Sequence, residues 1–297
     1  MKGFGYILIL LSLAVACSTN SSNKNNSAET GEKWSVKMAN SVMKQHDSLI
    51  YYEGKEKIRW QYDVAMLAMA IDKLGVIDQK YSNYMKTYVD YFVNEDGSIK
   101  GYKPEEYNID RINPAKNLFT LYKRTGEEKY NQAIQLFIKQ MENHPKTKSG
   151  GYWHKKVYPW QMWLDGIYMG SPFLAQYARE YNQPQWFDVV THQIILIHKK
   201  TLDPKTGLLY HAWDESKEQR WANKNTGQSP HFWSRAMGWY VMAIVDVLDY
   251  LPEEHPDRTE IITILGKTFD ALLSVADNET GLWFQVLDHG GEKGNYI

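Results

Sequence analysis

The sequence is poor in cysteine, in net charge and in long apolar runs. Among its 297 residues there is one cysteine, and 34 basic and 35 acidic side chains leave a formal net charge of −1. Proteins that bind nucleic acid need a clustered basic excess against the phosphates, so this balance argues against that class. Beyond the N-terminus, no stretch approaches the ~20 apolar residues of a membrane span. The composition therefore predicts no nucleic-acid partner, and membrane contact only through the N-terminal end.

Several active-site chemistries also lack their residues. The chain has no cysteine cluster and no His-Glu-x-x-His pair for zinc, no P-loop, and no Gly-x-Ser-x-Gly elbow for a serine nucleophile. The glycines between Gly290 and Gly294 are too loosely spaced for a phosphate cradle. We therefore expect neither a cofactor nor a metal ion.

Residues 1–17 have the pattern of a secretory signal. Lys2 is followed by an apolar run over residues 6–11 and by small residues up to Ala16. Cys17 stands where cleavage is expected, and no second cysteine is present to pair with it. This pattern favours a lipid on Cys17 over a conventionally cleaved signal without lipid.

The residues after Cys17 differ in composition from the rest of the chain. Residues 18–32 are rich in Ser and Asn, which predicts a flexible tether. We expect an exported protein, lipid-anchored in the cell envelope and facing the periplasm, with one catalytic domain over residues 33–297.

The whole chain is 43% apolar, which is enough for a sizeable core. Apolar residues recur three and four positions apart, as at Val64, Leu67, Ala68 and Ile71, whereas alternating strand patterns are scarce. We therefore predict an all-α domain. The predicted helices cover residues 34–51, 60–74, 78–93, 114–124, 127–142, 172–181, 184–200, 230–250 and 257–276.

Helix starts are predicted at three evenly spaced dipeptides of a capping residue and proline. They are Asn113-Pro114, Ser171-Pro172 and Ser229-Pro230. A long loop rich in aromatic residues and glycine precedes each of them, over residues 96–110, 149–164 and 206–221. Helical hairpins of this kind bury their apolar faces by stacking or by closing into a ring. The loop recurs at residues 278–288 with no helix after it, so we expect a barrel that is incomplete at its C-terminal end.

The long loops are expected to meet at one end of the ring, because the repeats are in phase. The side chains that they and the next helix turns bring to this rim are Asp110, His154, Lys155, Trp160, Trp163, Asp165, Tyr168, His211, Trp213, Asp214, Trp221, Trp233, Arg235 and Trp239. Acidic and aromatic side chains at one face of a rigid scaffold are typical of a catalytic cleft.

Asp165 is the leading candidate for a proton donor. Aromatic residues flank it on both sides, and removal of water raises the pKa of a carboxyl group, so we expect it to hold a proton at neutral pH. Asp110, one repeat earlier, is the second acid of a pair such as glycosidases use. An extended capping role for Asp110 is an open alternative.

Arg235 and Trp239 lie four residues apart and therefore share one face of a helix. A guanidinium beside an indole suits an anionic sugar, because the guanidinium binds a carboxylate while the ring stacks on the pyranose. The alternative is an arginine whose stem packs over aromatic rings. His154 and His211 lie in matching loops, but lone loop histidines are more often structural hydrogen-bonding residues than catalysts, so they only support this interpretation.

Four segments together resemble glycoside hydrolase family 105, the unsaturated rhamnogalacturonyl hydrolases. They are Ser149-Gly-Gly-Tyr-Trp-His-Lys155, Tyr158-Pro-Trp-Gln-Met-Trp-Leu-Asp165-Gly-Ile-Tyr-Met-Gly-Ser-Pro172, Leu209-Tyr-His-Ala-Trp-Asp214 and Ser229-Pro-His-Phe-Trp-Ser-Arg235-Ala-Met-Gly-Trp239. The resemblance extends from about Trp34 to the last residue. It implies an (α/α)6 barrel, the fold shared with the unsaturated glucuronyl hydrolases of family 88.

The resemblance also implies an activity. Enzymes of this family remove a C4–C5 unsaturated uronic acid from the non-reducing end of oligosaccharides made by lyases. The default substrate is unsaturated galacturonyl-rhamnose from the rhamnogalacturonan of pectin. They hydrate the double bond instead of displacing the second sugar directly.

Residue roles follow from the same resemblance. Asp165 matches the residue that protonates C4 and then helps water to reach C5, and Asp110 matches the second acidic position. The positions that match substrate contacts are His154, Lys155, His211, Arg235 and Trp239, and we expect the rim residues Trp163 and Trp233 to bind substrate with them.

Two other classes of protein remain open. A surface lipoprotein that binds glycans without turnover would use the same tryptophan-rich rim, and a polysaccharide lyase on a related helical toroid would use Tyr and His to remove the C5 proton. An Asp165→Asn variant separates the first, because only a hydrolase loses turnover while it still binds. The absorbance of the unsaturated uronide separates the second, because a lyase produces this chromophore and a hydratase removes it.

Overall fold

The computed structural model describes residues 32–296. This part of the chain contains nine α-helices and two short strands. The helices are α1 (Trp34–Gln45), α2 (Tyr62–Asp72), α3 (Gln79–Phe92), α4 (Lys116–Thr125), α5 (Glu128–Glu142), α6 (Leu164–Glu180), α7 (Gln185–Thr201), α8 (Ser234–Leu248) and α9 (Arg258–Ser274). The strands are β1 (Gln161–Trp163) and β2 (Ala212–Asp214). The predicted all-α class and the number of helices are confirmed.

The predictions for the N-terminal residues lie outside this range. The signal segment, the lipid on Cys17 and the tether up to residue 31 therefore stay predictions. Within residues 32–296, no helix combines the length and apolar character that crossing a bilayer requires.

The helices pack as consecutive hairpins. The pairs α2–α3, α4–α5, α6–α7 and α8–α9 are in contact, and α6 also packs along α8 of the next hairpin. Nearly all of α6 is buried: from Leu164 to Ala178, Gln176 is the exception. A helix that is enclosed on all sides belongs to the inside of a layered structure. It therefore provides a rigid base for residues at its N-terminus.

Two of the three helix starts predicted at proline are wrong. α6 begins at Leu164, so Pro172 lies inside it. Proline has no N–H to donate to the carbonyl oxygen four residues earlier, which is that of Tyr168. The side-chain amide of Asn113 donates to this oxygen instead, at 3.2 Å. The helix continues through the proline because a residue of the preceding repeat supplies the missing hydrogen bond.

The third dipeptide belongs to a strand-like segment. Ser229 exchanges hydrogen bonds with the backbone of Ala212: its N–H donates to the Ala212 carbonyl at 2.9 Å, and its hydroxyl accepts from the Ala212 N–H at 3.1 Å. α8 begins four residues after Pro230, at Ser234. Ser229 thus holds the loop to β2 and does not cap a helix. The first dipeptide, Asn113-Pro114, does open a 3-10 turn that leads directly into α4.

A two-stranded antiparallel sheet joins two of the long loops. β1 pairs with β2 in a register that places Met162 opposite Trp213. The N–H of Leu164 also donates to the carbonyl of His211 at 3.0 Å. The sequence showed no alternation here, because each strand is three residues long. The sheet brings His211 to the N-terminus of α6.

Candidate active site

Asp165 is at the centre of the rim. It is the second residue of α6 and is 6% exposed. His211 donates through Nε2 to its Oδ2 at 3.0 Å, and Arg235 donates through Nη2 to its Oδ1 at 3.2 Å. Arg235 is the second residue of α8, so two helix N-termini meet at this carboxylate. The aspartate is thus enclosed by two donors that come from different repeats.

The electrostatic state of Asp165 differs from the sequence prediction. Burial raises the pKa of its carboxyl group, but the hydrogen bond from His211 and the positive charges of His211, His154 and Arg235 outweigh burial and leave the pKa below its usual value. The N-terminus of α6 also favours an anion. The prediction that Asp165 holds a proton at neutral pH is therefore wrong for the protein without substrate. The prediction rested on the aromatic neighbours of Asp165 in the sequence, whereas the lowered pKa comes from residues of distant loops.

Asp110 forms a second cluster with two basic residues. Lys155 Nζ lies 2.7 Å from Oδ2 of Asp110, and His154 Nε2 lies 3.3 Å from Oδ1. Burial raises the pKa of Asp110, but the charges and hydrogen bonds of His154 and Lys155 hold it well below its usual range. Asn108 caps the 3-10 turn that contains Asp110, by accepting from the Asp110 N–H at 3.1 Å. No side chain caps the turn that opens at Asn113 or α4 after it, so the capping alternative for Asp110 is wrong.

His154 lies between the two acidic residues. Its Nε2 contacts Asp110, and its charge also contributes to the lowered pKa of Asp165. The ring lies against the backbone of Gly166, where an added Cβ would stand 2.9 Å from Nδ1. Glycine at this position permits the close approach, a requirement that sequence analysis missed although Gly166 directly follows Asp165. The two acidic clusters are thus parts of one site.

Aromatic rings line this site. Trp163 stacks with His154 at 4.3 Å between ring centroids and an interplanar angle of 11°, and it meets His211 edge-on at 5.2 Å. Trp233 meets His211 edge-on at 5.0 Å. The guanidinium of Arg235 lies 4.1 Å from the centroid of Trp233. Arg235 therefore packs on an aromatic ring, as the alternative interpretation expects, while the carboxylate that it binds here is that of Asp165.

Deeper in the site, Trp239 stacks on Tyr168 at a centroid distance of 4.9 Å. Its indole N–H is buried and has no hydrogen-bond partner among the described residues. Tyr62, which sequence analysis did not single out, meets Trp239 edge-on at 6.0 Å. These rings continue the aromatic lining from Arg235 into the ring of helices.

Other predicted rim residues support the loops. Asp214 is fully buried, and its carboxylate accepts from Ser216 and from the N–H of Gln219. Trp213 is buried and donates to the carbonyl of Thr226. Trp160 packs against Trp153, and Trp221 lines a separate groove. We assign these four predicted rim residues to loop structure, because none contacts Asp165 or Asp110.

Replacing Asp110 with asparagine is expected to reduce the free energy of unfolding by about 1–3 kcal/mol at pH 7, because Lys155 and His154 lose a buried anionic partner. A carboxyl group whose pKa is lowered by folding stabilises the protein above the unfolded pKa of about 3.9, and this contribution disappears as the pH falls. Urea unfolding at neutral pH and near pH 3 measures the difference. Asp270→Asn, at an exposed position of α9, is the control. An equal decrease in the free energy of unfolding at both pH values would contradict the assigned ion cluster.

Comparison with known proteins identifies the family of this chain. Residues 34–297 match Glycosyl Hydrolase Family 88. A family 105 glycoside hydrolase of C. acetobutylicum has a similar structure, with a TM-score of 0.85 and 48% identity, over 90% of this chain and 72% of that one.

Two curated relatives match over shorter segments. Protein Atu3128 of Agrobacterium fabrum is 38% identical over 43% of this chain, and the unsaturated rhamnogalacturonyl hydrolase YesR of Bacillus subtilis is 26% identical over 77% of it. The chain spans 54% of the length of the first and 64% of the second. From the match over residues 34–297 and the 48% identical structure, we conclude that the chain belongs to the glycoside hydrolases of families 88 and 105.

Proposed function

We propose that the protein hydrates the C4–C5 double bond of an unsaturated uronic acid at the non-reducing end of lyase-generated oligosaccharides. The observation that carries this proposal is a buried carboxylate, Asp165, held between a guanidinium and an imidazole among aromatic rings. Unsaturated galacturonyl-rhamnose from rhamnogalacturonan is the proposed substrate. The relationship to YesR, which is named an unsaturated rhamnogalacturonyl hydrolase, supports this choice.

The substrate carboxylate is proposed to bind Arg235. The side chain of Arg235 is 47% exposed although it contacts Asp165, so part of the guanidinium is accessible to a ligand. A planar guanidinium can bind two carboxylates through different N–H groups. Trp233, stacked on the guanidinium, and Trp239 offer ring faces for the pyranose.

Substrate binding then changes the state of Asp165. In the protein without substrate, the cations around Asp165 favour its ionised form. A second carboxylate bound to Arg235 offsets the positive charge that lowers the pKa of Asp165. Removal of water from the site raises this pKa further. Both effects favour uptake of a proton. Asp165 thereby becomes an acid only when an anionic substrate is bound.

The reaction is a net addition of water. Asp165 donates its proton to C4, the π electrons form the new C4–H bond, and positive charge develops at C5 and the ring oxygen. Water attacks C5 and returns a proton to the Asp165 carboxylate. The hemiketal at C5 opens by cleavage of the bond between C5 and the ring oxygen, and the hemiacetal left at C1 releases the second sugar. The residue thus acts first as general acid and then as general base.

The test is a panel of lyase-generated disaccharides whose double-bond absorbance is followed with time. We expect the absorbance to fall with unsaturated galacturonyl-rhamnose, and to fall more slowly with unsaturated glucuronyl disaccharides. No fall with any member, for protein with native circular dichroism, would refute the proposal. A rise in absorbance with uncleaved rhamnogalacturonan would indicate a lyase instead.

A further inference from the structure

A second cluster of polar side chains lies beside the segment that leads into α8. The N–H of Ser234 donates to the carbonyl of Gln285 at 2.9 Å, and the N–H of Leu287 donates to the carbonyl of Phe232 at 2.8 Å. This pairing sets residues 285–289 alongside residues 231–234. It brings His231 next to Asp288 and His289, which are far from it in sequence.

Three potential ligand atoms converge in this cluster. Nδ1 of His231 lies 2.9 Å from Oδ2 of Asp288 and 2.8 Å from Nε2 of His289. Nε2 of His289 lies 3.8 Å from the same Oδ2. A triangle with these sides is small enough for one ion to reach all three atoms at the ~2.0–2.2 Å of metal–nitrogen and metal–oxygen bonds. The side chains therefore need little movement to bind an ion.

The surrounding contacts orient these atoms towards one point. Nδ1 of His289 lies 2.9 Å from Oε2 of Glu292, which leaves Nε2 of the same ring to face the other two atoms. A carboxylate on the other nitrogen of a histidine is the usual outer partner of a metal ligand. The other oxygen of Asp288, Oδ1, accepts from the N–H of Phe232 at 3.2 Å. Oδ2 is thereby turned to the histidines.

The backbone at His231 points to a specific local role. Its φ of 58° is left-handed, a region in which the Cβ of a side chain is sterically disfavoured. This conformation is uncommon for residues other than glycine, and it concentrates at binding sites. Here it coincides with the position that presents Nδ1 to Asp288 and His289.

The geometry points to a binding site for one divalent transition-metal ion, formed by His231, Asp288 and His289, with Glu292 orienting His289. Two imidazole nitrogens and one carboxylate oxygen are the donor set of Zn²⁺, with the remaining coordination position left for water. Because the ligands belong to both paired segments, the ion would fasten residues 285–292 to the segment before Arg235. None of the three ligands contacts Asp165, so the role is structural.

The test is calorimetric titration of the full chain with ZnCl₂, after removal of any histidine tag. We expect one ion per chain. Binding should weaken by at least about 100-fold in His231→Asn and His289→Asn, and by about 10-fold in Glu292→Gln, since outer partners contribute 10–100-fold. Asparagine also tolerates the left-handed backbone at position 231. His46→Asn, far from the cluster in the sequence, is the matched control and should bind Zn²⁺ as the wild type does.

Hydrogen exchange gives a second, independent measurement. Zn²⁺ should slow exchange at the Leu287 amide, which donates to Phe232, in the wild type and not in His289→Asn. Unaltered circular dichroism confirms that each variant folds. Absence of binding by the wild type, or equal affinity in the wild type and both histidine variants, would overturn the metal site. Binding without slower exchange would overturn its fastening role.

Discussion

An Asp165→Asn variant is expected to lose about 10²–10⁴-fold in kcat while it still binds the unsaturated disaccharide. Asparagine keeps the shape of the side chain, and its single amide oxygen can still accept from Arg235, which lies 3.2 Å from Oδ1 of the carboxylate. Its NH2 group then takes the place of Oδ2 beside the ring nitrogen of His211. It has no acidic proton for C4 and no carboxylate to take a proton from water. The loss therefore falls on the chemical step.

Substrate affinity should stay the same or increase in this variant. The wild-type carboxylate carries a negative charge close to the proposed position of the substrate carboxylate, and the amide removes this repulsion. Steady-state kinetics gives kcat, and calorimetry with the disaccharide gives Kd. Asp270→Asn serves as the control, since this exposed residue of α9 is outside the site. Turnover within 10-fold of wild type would exclude Asp165 as the proton donor.

An Arg235→Leu variant is expected to lose about 30- to 4,000-fold in kcat/KM. Truncation of one partner in a charged hydrogen-bonded pair costs about 2–5 kcal/mol, and each 1.4 kcal/mol is tenfold. The affected pair is the one between the guanidinium and the substrate carboxylate. Leucine retains part of the packing on Trp233. Arg220→Leu, at an exposed loop position, removes the same charge outside the site and should leave kcat/KM unchanged.

The methyl ester of the substrate separates this role from a structural one. The ester carries no charge for Arg235 to bind, so the loss in kcat/KM caused by Arg235→Leu should be much smaller on the ester than on the acid. The pH profile gives a further check, because the charge of Arg235 contributes to the lowered pKa of Asp165. Its removal raises that pKa, so the alkaline limb of kcat/KM should move to higher pH. An equal loss on ester and acid, with no shift of this limb, would contradict carboxylate binding by Arg235.

The helices could be predicted from the sequence wherever periodicity was undisturbed. The bounds of α3, α5, α7 and α9 agree with the predicted ranges to within about two residues. The start of α6 could not be found in this way, because the hydrogen bond that carries the helix past Pro172 comes from Asn113 in another repeat. Local sequence signals fail where a distant residue satisfies the backbone.

The candidate site shows the same limit. The residues themselves were identifiable, since motifs and aromatic neighbours single out Asp165, Arg235 and His211. The ionised state of Asp165 was not identifiable, because it depends on His211 and Arg235, which lie 46 and 70 residues away in the sequence. The cluster of His231, Asp288 and His289 has no sequence motif, since it arises from pairing of separate segments.

The short sheet between β1 and β2 has a consequence for protein engineering. Side chains alternate across a strand, so a slip of one residue in the pairing would turn Trp163 to the opposite face and carry His211 away from Asp165. The loop that contains β1 and the loop that contains β2 therefore form one structural unit. Grafting only one of them from a homologue with another sugar preference would disturb proton transfer before it altered selectivity, whereas exchanging both together would preserve the alignment.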